Sequence, residues 1–358
     1  MSLPRPVRIV ATLLLALAGA WLCVWLHTPI PWMLGPLLVT TLVTLAGLPT
    51  QADVVLRNVA QGVLGVSLGL YFTPEIVQQL ARLWWAVLLS VLWALALGAW
   101  FGRWLAMLHA RRFPDLPPAT LHTTTYYASA IGAASEMTLQ AERVGARADL
   151  VASAHSLRVL IVVLVVPYAM LWARTHAGWE AVDVAPAALR QAVFPGLLWL
   201  SLAAAAGGWV TRRIGLTNPW FLGPLFVAMA VSIAERVPSP VPTALSNAAQ
   251  LVIGVGLGVR FTPKFLEAAP AWLVSVAVGT LAMILLCAGF GAVLASWAGL
   301  PLGTAILATA PGGMAEMAIT AKVLQLGVPV VTAFQVSRLV AVLLLVQPFH
   351  RWTQSRRG

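Results

Sequence analysis

Charge is scarce in this sequence: Asp, Glu, Lys and Arg together make up 9% of 358 residues, against 60% hydrophobic. So little charge cannot coat a water-exposed surface, which excludes a soluble globular domain of this length. Cysteine is scarcer still. Cys23 and Cys287 both lie in apolar runs, so there is neither a disulfide framework nor a CxxC metal or redox motif. The 6 histidines show no HxxxH or HxH spacing, which leaves metal chemistry without a ligand cluster. No nucleotide-binding motif occurs, which argues against ATP-driven work by this chain alone. No cofactor is expected. The net charge of +11 comes from basic residues scattered over short loops and tails. With no basic domain to dock on a duplex, nucleic acid is not an expected partner, and the bias reads as that of cytoplasmic membrane loops.

What the chain does have is apolar length, with a mean hydropathy of +0.88. Runs fit to cross a bilayer fall near 7–26, 30–48, 54–71, 82–108, 117–140, 150–173, 191–211, 219–234, 245–261, 270–298, 302–326 and 329–349. The first, behind Arg5 and Arg8, has the look of a signal peptide. Its apolar character continues to Leu26 and it has a counterpart at 191–211, so it is expected to stay as a transmembrane helix. The fold class is therefore an all-α polytopic membrane protein.

The chain also repeats itself. "PWMLGPL" at 31–37 returns as "PWFLGPL" at 219–225, and "NVAQGVLGVSLG" at 58–69 returns as "NAAQLVIGVGLG" at 247–258. "FTP" follows each copy. "GAASEM" at 132–137 answers "GGMAEM" at 312–317, and Arg158 answers Arg338. The order is unbroken, which points to duplication: a first repeat at 1–175, a polar linker at 176–190 and a second repeat at 191–358. The distribution of Lys and Arg favours an inverted second half, with about ten crossings plus two broken or re-entrant segments. The location implied is the bacterial inner membrane, with both termini cytoplasmic.

Inverted repeats with interrupted helices are the architecture of secondary transporters. In "APGGMAEMA" at 310–318, proline and two glycines break the helix and Glu316 falls in the first turn of its restart. An intramembrane carboxylate is costly, which makes it a site candidate; a proline kink with Glu316 capping its own turn is the plainer alternative. "SAIGAASEM" at 129–137 keeps Glu136 but has Ile131 in place of the proline. The preceding "HTTTYY" at 122–127 lines a wet path or bonds back to its own helix.

Arg158 and Arg338 sit inside apolar helices and need partners, for which Glu136 and Glu316 are the first candidates. Asn58 with Gln61, and Asn247 with Gln250, share helical faces with Gly65-xxx-Gly69 and Gly254-xxx-Gly258, which suit close packing. The candidate substrate or ion site is Glu136, Glu316, Arg158, Arg338, Gly312, Gly313, Asn58, Gln61, Asn247 and Gln250. No catalytic or metal residue is assigned.

The order PW-x-LGPL, N-x-AQ-x-x-x-GV-x-LG, GAASEM and PGGMAEM, each Gly-rich motif followed by an arginine helix, resembles the duplicated AbrB-type integral membrane family. The resemblance covers nearly the whole chain. It implies two functional labels, ammonia monooxygenase and transcriptional regulator. The dispersed His and Cys do not supply the metal ligands a monooxygenase needs, and no segment matches a soluble DNA-binding domain. Ile131 departs from the family's habit of opening the first motif with proline, which argues against equivalent roles for the halves. The leading expectation is a permease or secondary transporter for a small solute or ion. The alternative is a membrane sensor with an indirect effect on gene expression, and a membrane enzyme comes last. Lipid and an unidentified solute are the expected partners, and a homo-oligomer is left open.

Overall fold

The computed structural model describes residues 4–112, 116–177, 194–263 and 270–355, with side chains as far as 349. Within these residues every regular element is a helix. The N-terminal part holds α1 (Arg5–Trp25), α2 (Pro31–Leu45), α3 (Val54–Gly69), α4 (Pro74–Arg82) and α5 (Trp84–His109). Then come α6 (Pro118–Ser129), α7 (Ala134–Arg143), α8 (Ala148–Ala177), α9 (Phe194–Arg213) and α10 (Pro219–Ile233). The last are α11 (Thr243–Gly258), α12 (Pro270–Ala298), α13 (Leu302–Thr309), α14 (Met314–Leu324) and α15 (Val328–Ser355). Of the expected linker, 178–190 lies outside the described residues, and 176–177 complete α8.

Among the described residues six helices are long and apolar enough to cross a membrane: α1, α5, α8, α9, α12 and α15. The pair α3 and α4, bent by 84° at their break, would make a seventh span. The apolar helices α2, α10 and α11 are shorter, at 10–17 residues. They reach only about 24 Å, against roughly 30 Å of hydrocarbon, so length alone does not make them crossings. In α1 and α9 only 28% of the apolar window is buried, and Leu14, Trp25 and Trp199 point outward. Helices apolar on their uncovered faces need hydrocarbon around them. The chain is a multi-pass helical membrane protein.

The "PW" motifs set helix starts. Pro31 and Pro219 occupy the first turns of α2 and α10, where a missing N–H costs nothing. Each is preceded by a left-handed residue, Ile30 at φ 43° and Asn218 at φ 56°.

The helices form two compact units, and each takes segments from both halves of the sequence. The first unit comprises Met1–Arg82, Pro167–Lys264 and Ile319–Pro329; the second comprises Leu83–Val166, Phe265–Ala318 and Val330–Gly358. The unit boundary passes through α8 at Pro167 and through α14 at Ile319.

In the first unit α3 packs on α10 and α11 on α2, with α3 against α11 as well. Close approach requires glycine here. A Cβ at Gly65 would strike the Phe221 carbonyl, and one at Gly254 would stand 2.6 Å from the Met33 carbonyl oxygen. The small-residue faces therefore do what packing needs, bringing backbone against backbone. The segments that match in sequence thus make matching contacts. In the second unit α5 packs on α6 and α12, and α12 on α13, around Phe101, Tyr127, Trp272 and Met283.

Candidate functional site

The second unit contains two helices broken at corresponding places. α6 ends at Ser129 and α7 restarts at Ala134; α13 ends at Thr309 and α14 restarts at Met314. The caps Ala130 (φ −54°, ψ 132°) and Ala310 (φ −55°, ψ 140°) have nearly the same extended backbone. Proline forces this before Pro311, since a residue ahead of proline is driven from the helical region. No proline acts on Ala130, yet the chain breaks there too. Ile131 thus differs from Pro311 in chemistry but not in the backbone it follows.

A helix that stops inside a membrane leaves carbonyl oxygens without donors. The arginines supply them. Arg158 of α8 donates from Nη1 to Ser129 O (3.2 Å) and from Nη2 to Ala130 O (2.8 Å). Arg338 of α15 donates from Nη1 to Ala310 O (2.6 Å) and from Nη2 to Gly312 O (2.7 Å). Each guanidinium also offsets the negative end of the half-helix it caps.

Each arginine is steadied by the residue three positions before it. His155 Nε2 lies 2.9 Å from Tyr127 O, and its Nδ1 lies 2.7 Å from Arg158 Nη2. A carbonyl can only accept and a guanidinium can only donate, so the ring is neutral with its proton on Nε2. Gln335 plays the same part on α15. Its Nε2 donates to Leu307 O (2.9 Å) and Ala310 O (3.2 Å), and its Oε1 accepts from Arg338 Nη2 (2.5 Å).

The pairing expected between each arginine and its glutamate is not what forms around Arg158. Among the described residues no hydrogen bond or ion pair joins it to Glu136, a partly buried residue in the first turn of α7. The physical reason is proximity: orphan carbonyls at the break lie closer to the guanidinium than the next helix's carboxylate. Glu316 is buried, 9% exposed, in the first turn of α14. Its carboxylate lies over the backbone of Gly313, where any Cβ would collide with it. That is the placement of a third-position glutamate folded back on its own helix start.

The two breaks meet the opposite arginine helices. A Cβ at Gly312 would stand 2.8 Å from Val162 Cγ1 of α8, and one at Gly132 would stand 3.1 Å from Val342 Cγ1 of α15. Val162 and Val342 each follow their arginine by one turn. So α8 caps the first break and touches the second, while α15 does the reverse. Glu136, Arg158, Gly312, Gly313, Glu316 and Arg338 thus share one unit, around one pair of breaks. The threonines of "HTTTYY" turn inward: Thr123, Thr124 and Thr125 donate to Ala119, Thr120 and His122 carbonyls of their own helix.

The amides belong to the first unit. Gln250 is buried on α11, while Gln61 and Asn247 are partly buried. Asn58 borders a cavity of about 410 Å³ lined also by Leu200, Arg212, Trp220 and Pro224. Sequence reasoning passed over Lys322, which this unit holds against Ser67 and Ser246. Its signal was available: a lysine inside the apolar run 302–326.

Paired broken helices capped by buried arginines define a class, the multi-pass helical membrane proteins with interrupted helices. Within it, the family described as "Transition state regulatory protein AbrB" matches residues 1–116 and 32–354, and the chain belongs to that family. It is similar to "Uncharacterized protein YhjN" of Bacillus subtilis (strain 168), 27% identical over 365 residues, covering 95% of this chain and 92% of that protein. It is also similar to "Putative regulator AbrB" of Escherichia coli (strain K12), 28% identical over 323 residues, with 89% and 88% covered.

Proposed function

We propose that this chain is a secondary transporter or permease for a small solute or ion, working at the two helix breaks. The observation that carries the reading is the crossed contact of Gly132 with α15 and Gly312 with α8. Interrupted helices that meet in this way put half-helix termini at membrane depth, where charges and dipoles can hold a solute. Arg158 and Arg338 act as fixed counter-charges that keep the breaks open. Glu136 and Glu316, at the restarts, take up and release the coupling proton or cation. The two repeats lie inverted in a bacterial inner membrane, with both termini in the cytoplasm.

The test is flux into proteoliposomes bearing the purified protein, driven by an imposed proton or sodium gradient and screened over pooled small metabolites. Gradient-dependent uptake is expected in the parent and a loss of at least tenfold in Glu316→Gln. Uptake unchanged in that variant would remove Glu316 from the mechanism.

The name of the Escherichia coli relative favours a second reading, a membrane sensor acting on gene expression through a partner. A stoichiometric protein partner together with no flux of any solute would select it.

A further inference from the structure

Lys322 lies in the last turn of α14, in the part of that helix that belongs to the first unit. It is partly buried, and its ammonium donates to Ser67 Oγ of α3 and, at 3.3 Å, to Ser246 Oγ of α11. Both serines are buried, at 4% and 3% exposure. Among the described residues the buried hydroxyls of Thr40, Thr41, Thr280 and Thr304 have no partner, while Thr124, Thr309 and Ser275 donate to a carbonyl one turn back. Ser67 and Ser246 do not. Among the described residues their one partner is Lys322, which fills an acceptor position on each and leaves each O–H unspent. The ammonium keeps a third N–H, and no described carboxylate pairs with it. Gln250, one turn along the same face from Ser246, is 4% exposed and adds a carboxamide with no bond to another described residue.

Donors without acceptors and a positive charge without a counter-charge have the same remedy. An anion supplies both, and one ammonium balances one negative charge. The matching place in the other repeat is built differently. Gly256 stands where Ser67 does and Arg57 where Ser246 does, and the Arg57 side chain lies across Gly256, 3.6 Å from where a Cβ would be. There a long side chain fills the space; at Ser67 and Ser246 two small hydroxyls leave it to Lys322. We propose that Lys322, Ser67 and Ser246 form a binding site for a small monovalent anion, such as a carboxylate or halide. Occupancy of this site requires no flux through the helix breaks, so it stands or falls apart from the transport reading.

Calorimetric titration of the full-length protein in nanodiscs, in separate runs with sodium acetate, sodium chloride and sodium sulfate, tests it. Saturable binding of acetate or chloride is expected. Because hydrogen bonds to a charge are the stronger kind, affinity should fall about tenfold or more in the double variant Ser67→Ala/Ser246→Ala. That variant keeps the lysine and removes only two oxygen atoms, so it serves where Lys322→Gln fails to fold. Binding by sulfate alone, by none of the three, or equally tight binding in the serine double variant would overturn the proposal.

Discussion

A guanidinium in hydrocarbon needs acceptors, and a helix that stops in hydrocarbon has carbonyls that need donors. At Arg158 and Arg338 the terminal N–H groups meet those carbonyls and the neighbouring His155 or Gln335, while Arg338 Nε has no partner among the described residues. At the second restart the Glu316 carboxylate lies over Gly313, so a side chain there would have to displace it. Gly313→Ala should therefore lower unfolding free energy by about 1–3 kcal/mol, the usual cost of forcing atoms into packed space. Removing the obstructing carboxylate as well, in Gly313→Ala/Glu316→Ala, should show a coupling of roughly 1 kcal/mol or more. Denaturant unfolding of the four proteins in detergent measures it; additive losses would show that the carboxylate does not press on Gly313.

At the scale of elements, the two breaks follow the same path although one has proline and the other isoleucine. Ala130 already holds the ψ of 132° that a following proline demands. The N–H of Ile131 also makes no hydrogen bond to another described residue. Ile131→Pro is thus expected to cost about 1 kcal/mol, from lost packing of a buried side chain alone. Ala128→Pro, inside α6, should cost about 3 kcal/mol or more, by removing a helix bond and clashing with the turn before it. Thermal unfolding of both variants checks the order; equal losses would mean that the first break depends on isoleucine. Packing between helices gives a second expectation. Gly65→Ala puts a methyl into the Phe221 backbone of α10, whereas a Cβ at Gly289 on α12 meets nothing within 4 Å. The first should destabilise by about 1–3 kcal/mol and the second should be neutral or stabilise slightly. Melting temperatures of the two variants test this directly.

For the whole molecule, orientation is the property to measure. An inverted arrangement places the turn after α7 in the cytoplasm and the turn after α12 outside. Val144 and Pro301 are exposed in those turns, and the native Cys23 and Cys287 are buried, so their background labelling is low. Val144→Cys should react with a membrane-impermeant maleimide only in opened vesicles, and Pro301→Cys in intact cells. Labelling of both from the same side would refute the inversion.

The break at Pro311-Gly312-Gly313 was legible because proline and glycine act through their own backbone, whatever surrounds them. So were the membrane class and the helix starts at Pro31 and Pro219, which follow from composition and local sterics. The first break was visible only by its match to the second. The partner of Arg158 was not legible, since an unpaired carbonyl has no letter in a sequence while a glutamate does. Nor was the cluster of Lys322 with Ser67 and Ser246, drawn from three helices far apart in the chain. The sequence by itself determined the membrane class, the helix starts at Pro31 and Pro219 and the stop before Pro311, because those are local costs. Only the tertiary structure decided which group satisfies each stranded donor and acceptor, because that depends on distances that packing sets.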